Sequence, residues 1–233
     1  MISVIIPVYN SQDTLNRCLD SILDTDYEDY EIILVNDGST DNSAKCIEEY
    51  VMANSRIRLI NQKNSGPSVA RNVGIESALG DIITFIDSDD YVENNYLKSI
   101  DEKFKESGAD VVFFGFSRVN EDGEILSIHH LPDMIGTYYD ILVSLSSCDM
   151  FGYTWIKAIK RALISEHRFD ERISLYEDEV FTCGVLSKPC KISFMNELLY
   201  NYVRGSESLS TKVHQTYYEN CDLVYIHWKQ LLK

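Results

Sequence analysis

An α/β fold with a mostly parallel central sheet flanked by helices is predicted by two observations on the first 116 residues. Near-continuous apolar runs (Ile2–Ile6, Glu31–Val35, Ile57–Ile60, Ile82–Ile86, Val111–Phe116) alternate with amphipathic stretches. That is the pattern of strands buried on both faces by crossover helices. Turn-forming and acidic residues also collect where the runs end, at Pro7-Val8-Tyr9-Asn10, Asn36-Asp37-Gly38-Ser39 and Asp87-Ser88-Asp89-Asp90. Ligands of such sheets bind outside the carboxyl ends of the strands, so these clusters hold the candidate site.

Each element follows from local pattern. Between the first two strands Leu15, Leu19 and Ile22 recur at helical spacing, with Ser11 or Asp13 as the expected cap. A helix is expected from about Thr40, with Ala44, Ile47 and Val51 on one face, and another over Pro67–Leu79. Tyr91–Phe104 reads as helical, with Asp90 as its acidic start. Beyond residue 116 the rhythm changes. Arg118–Ile128, turning at Glu121-Asp122-Gly123, reads as a hairpin. Helices are expected at Tyr138–Ser146, Trp155–Ile164, Glu177–Leu186 and Tyr217–Leu232, and Ile192–Val203 reads as extended. The organisation predicted is a first half over 1–116, a smaller mixed half over 117–212, and a final helix over 213–233 that still runs at the last residue, as if cut from a longer chain. No repeat or low-complexity linker separates the halves, so they are expected to pack together.

Composition narrows the function classes. With 21 basic against 37 acidic residues the net charge is −16, and no basic block offers to neutralise a nucleic-acid backbone, so no nucleic-acid partner is expected. Six cysteines at positions 18, 46, 148, 183, 190 and 221 lack metal-site or disulfide spacing, which fits reduced thiols in the cytoplasm. The opening residues lack a basic segment and break at Pro7, so they read as a strand rather than a signal peptide. No apolar run is long enough to span a bilayer.

The acidic run Asp87-Ser88-Asp89-Asp90 directly follows five apolar residues. Three carboxylates packed at a buried strand's end need positive charge nearby. Mn²⁺ or Mg²⁺, hard cations that take a few carboxylates and leave room for phosphate oxygens, would supply it. Taken alone, Asp37 reads as an ordinary turn plus cap, and only in company with the other strand ends as a carboxylate for a base N–H or ribose hydroxyls. In Asn64-Ser65-Gly66-Pro67, Gly66 permits close backbone approach and Pro67 suits a first helical position. Arg71, one turn in, is one of the few cations available to a diphosphate, or forms a plain ion pair. Glu177-Asp178-Glu179 starts a helix, and Asp178 becomes a base only within hydrogen-bond reach of an acceptor hydroxyl.

Taken in order, Val4-Ile5-Ile6-Pro7-Val8-Tyr9-Asn10, Val35-Asn36-Asp37-Gly38-Ser39-Thr40-Asp41, Asn64-Ser65-Gly66 with Ala70-Arg71-Asn72, and Phe85-Ile86-Asp87-Ser88-Asp89-Asp90 resemble the family 2 glycosyltransferases of the Rossmann-like GT-A fold. Downstream, Trp155 with Lys157 and Arg161, Phe169-Asp170-Glu171, and Glu177-Asp178 with Phe181 resemble the bacterial polysaccharide and cell-wall members. The resemblance covers about residues 2–182. It implies that Pro7, Val8 and Tyr9 line the base and ribose, that Asp37 bonds uracil, and that Gly66 and Arg71 close the nucleotide site. Asp87 and Asp89 match the DXD motif, with Ser88 between them at the nucleotide and Asp89 the direct ligand of Mn²⁺ or Mg²⁺. Asp178 matches the base, with Glu177, Trp155 and Lys157 toward sugar or acceptor, and Arg204, Ser210 and His214 fall where relatives carry a loop over the diphosphate.

The implied reaction is inverting transfer from a UDP-sugar to a saccharide, lipid-linked or polymer acceptor, in the cytoplasm or peripherally at the inner membrane face. The alternative is a non-catalytic nucleotide-sugar-binding module of the same fold. A receiver domain would need acids where Asn10 stands, and a nucleotidyltransferase would need a glycine- and cation-rich loop in place of Tyr9-Asn10-Ser11-Gln12-Asp13.

Overall fold

A computed structural model of the chain describes residues 1–131, 135–137, 152–164, 166–173, 175–187, 189–204 and 225. β1 (Ile2–Val8) lies at the centre of the first half, with β2 (Tyr30–Asp37) on one side and β4 (Ile82–Phe85) on the other, both parallel to it. β3 (Ile57–Gln62) extends the sheet beyond β2, again in parallel. The order β3-β2-β1-β4 reverses direction of travel beside β1, which opens a crevice at the carboxyl ends of β1, β2 and β4. The crossovers are α1 (Leu15–Leu23), α2 (Ser43–Ala53) and α3 (Pro67–Ser77). Residues of β2 are buried throughout, as a strand covered on both faces must be.

Helix boundaries shift from expectation where side chains prefer other partners. Ser11 does not cap α1, since its hydroxyl pairs with Ser88 Oγ at 2.7 Å and Thr14 occupies the cap position. α2 starts three residues later than expected, because Thr40 N–H donates to Asn10 Oδ1 and Asp41 Oδ1 accepts from Ser43 N–H. α3 stops at Ser77, and Leu79 N–H is drawn to Glu31 Oε1 at 2.6 Å.

One expected helix starts later than predicted and another is overturned. Tyr91–Val92 is a short strand, β5, and α4 begins only at Tyr96 and runs to Ser107. The Asp90 carboxylate, fully buried, accepts from Val203 N–H at 2.7 Å and from Tyr200 Oη at 2.6 Å. That latch holds residues 91–92 extended against the second half, so Asp90 starts no helix. Trp155–Ile164 is likewise divided into a 3₁₀ turn at Thr154–Ile156, a strand β9 (Lys157–Lys160) and a single helical turn α5 (Arg161–Ile164). Its apolar spacing suits a helix locally, but a vacant position between β4 and β6 (Val111–Val119) takes the segment in as an antiparallel strand.

The hairpin partner β7 (Ile125–His129), β8 (Ile135–Thr137), α6 (Glu177–Leu186) and the long β10 (Lys191–Val203) complete the described elements. β10 pairs in parallel with β6 and antiparallel with β5 and β8. Following the pairings outward, β3, β2, β1, β4, β6 and β10 run one way while β9 and β5 run against them. One sheet therefore threads both halves of the chain. The helices expected at 138–146 and 217–232 lie outside the described residues.

Candidate active site

At the end of β2 the buried Asp37 carboxylate organises the loop before α3. Its Oδ1 accepts from Gln62 Nε2 at 2.7 Å and Ser65 N–H at 2.8 Å, and its Oδ2 from Gly66 N–H at 2.8 Å. Two glycines make this approach feasible. Gly38 has φ +69°, and a Cβ there would meet Asn64 N at 2.6 Å, while Gly66 has φ +94° at the start of α3. Nearby, Tyr9 is half exposed at the end of β1. Val8, beside it, is wholly buried, so only its backbone can face a ligand.

The acidic end of β4 is held from three directions. Arg17 Nη2 donates to the Asp89 carbonyl at 2.9 Å, Thr14 Oγ1 to the Ser88 carbonyl at 2.9 Å, and Tyr200 Oη accepts from Asp87 N–H at 3.1 Å. Side chains then meet across the crevice. Arg71, buried in α3, donates from Nη2 to Asp87 Oδ1 at 3.1 Å and from Nη1 to Glu177 Oε1 and Asp178 Oδ1, each at 3.2 Å. Asp178 Oδ2 accepts from Thr154 N–H at 3.3 Å and Thr154 Oγ1 at 3.1 Å. Residues from both halves of the chain thus form one charged cluster.

Negative charge dominates there. Burial, opposed by Arg71 and reinforced by Asp178, raises the Asp87 carboxyl, and burial with the Asp178 charge does the same to Glu177. Asp89 presents its side chain to solvent, yet the surrounding protein and the Asp87 charge push it up to about 6. For Arg71 burial acts against the charged form, but Asp178, Asp87 and Glu177 override it and hold the guanidinium more firmly protonated. Three carboxylates on one guanidinium, with Asp89 two residues beyond Asp87, fit a further cation. Among the described residues no three His, Cys, Asp or Glu side chains converge as a ready cage. A hard ion on Asp89 and Asp87 would therefore keep positions open for ligand oxygens.

Other expected site residues stand elsewhere. Trp155 is 4% exposed and stacks on Tyr153, Tyr200 and Tyr202 at centroid distances of 4.9, 4.6 and 5.3 Å. It is a core aromatic, not a surface a sugar could reach. Lys157 is 1% exposed and its Nζ donates to Thr182 Oγ1 at 2.9 Å, so it too is withdrawn from any acceptor. Burial, against the pull of Asp178, brings its ammonium down to about 7. Arg204 N–H donates to the Val119 carbonyl at the sheet margin, and its side chain is exposed. Ser210 and His214 lie outside the described residues. Tyr200, Thr154 and Arg17 carry no sequence signal, because nothing in their neighbourhoods marks a hydroxyl or guanidinium as aimed at a distant loop. A cavity of about 660 Å³ is bordered by Asn72, Phe169, Phe181 and Cys183, and is not lined by Asp37, Asp87 or Asp178.

Residues 3–167 match the family model described as Glycosyl transferase family 2. The chain belongs to that family. The match takes in Asp37, Arg71 and Asp87–Asp90 and stops short of Glu177 and Asp178. Among glycosyltransferase relatives, GlyA of Streptococcus pneumoniae serotype 4 (strain TIGR4) is 35% identical over 221 residues, covering 90% of this chain and 31% of GlyA. A poly(ribitol-phosphate) beta-glucosyltransferase of Bacillus spizizenii W23 is 33% identical over 219 residues, covering 90% of this chain and 33% of the relative. The chain thus spans about a third of each. The crystal structure of S. aureus TarS 1–349 in complex with UDP-GlcNAc is similar with a TM-score of 0.80 at 26% identity, covering 97% of this chain and 66% of that one. This family 2 glycosyltransferase chain therefore has the GT-A fold, and its solved neighbour holds a nucleotide-sugar. No helix among its described residues is long and apolar enough to cross a membrane.

Proposed function

We propose that this chain carries the donor-binding and catalytic core of an inverting hexosyl- or N-acetylhexosaminyl-transferase. It moves a sugar from a UDP-sugar to a hydroxyl of a saccharide, lipid-linked or cell-wall acceptor. The observation that carries this reading is the bridge through Arg71, which brings the acidic end of β4 within one guanidinium of Asp178. A donor whose diphosphate lay over Asp87 and Asp89 would present its sugar toward α6.

Each protein group then has a task. Asp37 and the loop it holds accept uracil, with Pro7 and Tyr9 beside the base. Arg71 neutralises part of the charge that builds on the departing diphosphate. Asp178 takes the proton from the acceptor hydroxyl as its oxygen attacks the anomeric carbon opposite the leaving UDP. One displacement inverts that centre without a covalent glycosyl-enzyme. Mn²⁺ or Mg²⁺ on Asp89 and Asp87 would supply Lewis-acid charge for the diphosphate. A lipid-linked acceptor would place the chain at the inner membrane face.

Two assays test the proposal. Thermal shift with Mn²⁺ should show stabilisation by UDP-sugars and not by GDP-sugars, and acceptor-dependent UDP release should follow with one of them. Binding without release across donors and acceptors would favour the non-catalytic module. Stabilisation by GDP-sugars instead would overturn the uracil role of Asp37.

A further inference from the structure

Asp178 stands in the first turn of α6. Acids there commonly accept from their own helix's free N–H groups. The carboxylate instead turns out of the helix, toward Arg71 on one oxygen and Thr154 on the other. Thr154 is fully buried. Three residues on, at the start of β9, Lys157 meets α6 again one turn further along. Lys157 Nζ donates to Thr182 Oγ1 at 2.9 Å and to the Gly152 carbonyl at 3.3 Å, and Thr182 Oγ1 donates to that carbonyl at 3.2 Å. Residues 178 and 182 are four apart and share one face of the helix. The segment from Gly152 to Lys157 therefore grips that face at two points. It is also tied to the sheet, because Thr84 Oγ1 of β4 donates to the Lys157 carbonyl at 3.2 Å. Asp87 follows β4 by two residues.

We infer that Thr154 and Lys157 are positioning residues, a clasp that sets the direction of the Asp178 carboxylate and its separation from the acidic end of β4. Neither touches substrate; both act through Asp178. This rests on the reading of Asp178 as the base. A carboxylate fixed by two donors on one oxygen presents a defined lone pair of the other, which Arg71 shares. Loss of that orientation should slow proton removal without altering nucleotide binding, because the Asp37 loop has its own supports. Misplacement by about 1 Å can lower turnover on the order of 100-fold.

The test is a set of four variants of the 233-residue chain, with UDP-release kinetics, UDP calorimetry and melting curves. Thr154→Val keeps the volume and the backbone donor and removes the hydroxyl. It should lower kcat by about tenfold or more while donor KM and UDP Kd stay within about twofold. Thr154→Ser should restore most of kcat, and Lys157→Met should show the same split between kcat and KM. Turnover of Thr154→Val equal to wild type would overturn the clasp, as would a serine variant no better than valine, or kcat, Kd and Tm falling together. Asp178→Asn separates this failure from that of the underlying function. An inactive asparagine variant beside a fully active valine variant removes the clasp alone, whereas a wild-type chain that transfers from no UDP-sugar removes both.

Discussion

Arg71 of α3 and Asp178 of α6, 107 positions apart, meet through a guanidinium–carboxylate contact of 3.2 Å. The same guanidinium reaches Asp87 and Glu177. Replacing Arg71 by Met would leave three partly buried carboxylates without their shared cation. Breaking such a cluster costs about 3–5 kcal/mol, so chemical denaturation should show a loss of that order and a lower Tm. Arg71→Lys keeps the charge but cannot fork between the two sides of the crevice, and should fall between Met and wild type. A methionine variant as stable as wild type would show that the cluster contributes nothing net.

Buried acids in and beside this cluster set a pH dependence. Asp87, Glu177 and Asp90 are raised by burial, and Asp89 is raised to about 6. Unfolded, such groups titrate near about 4, so between these values the folded chain holds protons the unfolded chain has released. Stability therefore increases as pH falls from neutral toward the unfolded value, and is lost as pH rises through the folded values. Glu31, Asp41 and Asp110, which are lowered, oppose this only at still lower pH, while His129, lowered by burial, opposes it toward neutrality and Lys157, lowered to about 7, opposes it above that value. Tm should be higher near about pH 5.5 than near about pH 7, and Asp90→Asn should flatten the slope. A Tm that rises steadily from about pH 5.5 to about pH 7 contradicts the argument.

How legible all this was in the sequence depends on the range of the interaction. Ile2–Ile6 and Ile32–Val35 declare themselves as buried strands because their composition alone demands cover on both faces. Lys157–Lys160 does not, since its place between β4 and β6 comes from pairing with residues no nearer in sequence than Phe113. Asp90 misleads for the same reason. Locally an acid before an apolar helix is a cap, yet its partners Tyr200 and Val203 lie 110 and 113 positions on. Acid and glycine patterns mark Asp37, Asp87 and Asp178 as candidates, whereas Thr154 and Tyr200 act through hydroxyls whose direction only packing defines.

Asp37 offers a separable prediction. Asp37→Ala would strip acceptors from Gln62, Ser65 N–H and Gly66 N–H. Unsatisfied buried donors cost about 1–3 kcal/mol each, although loop relaxation into water will recover part. Stability should drop measurably in a denaturant titration, and preference for UDP over GDP in calorimetry should collapse. If selectivity survives in a folded variant, base recognition lies elsewhere.

Asp89 should carry the metal dependence of nucleotide binding. Its carboxylate is solvent-facing and poor in cationic neighbours, with Arg17 bonded to its backbone carbonyl. Asp89→Ala should reduce UDP affinity in Mn²⁺ to the level of wild type in EDTA, with no further fall when EDTA is added. Equal UDP affinity of the wild-type chain with and without Mn²⁺ would rule out an ion at this position.

Asp178→Asn is the most direct trial of the chemistry. The amide keeps the volume and one acceptor oxygen, so Thr154 can still hold it, but it has no lone pair basic enough to take a hydroxyl proton. Loss of a general base lowers turnover by roughly 10²–10⁴-fold. Removing one carboxylate also leaves Arg71 with Asp87 and Glu177, which keeps the guanidinium paired and the crevice folded. UDP affinity should accordingly stay within a few-fold of wild type while acceptor-dependent UDP release nearly vanishes. Release at more than about a tenth of the wild-type rate would place the base at another residue. Glu177, which shares Arg71 Nη1 with Asp178, is the one that then has to be replaced.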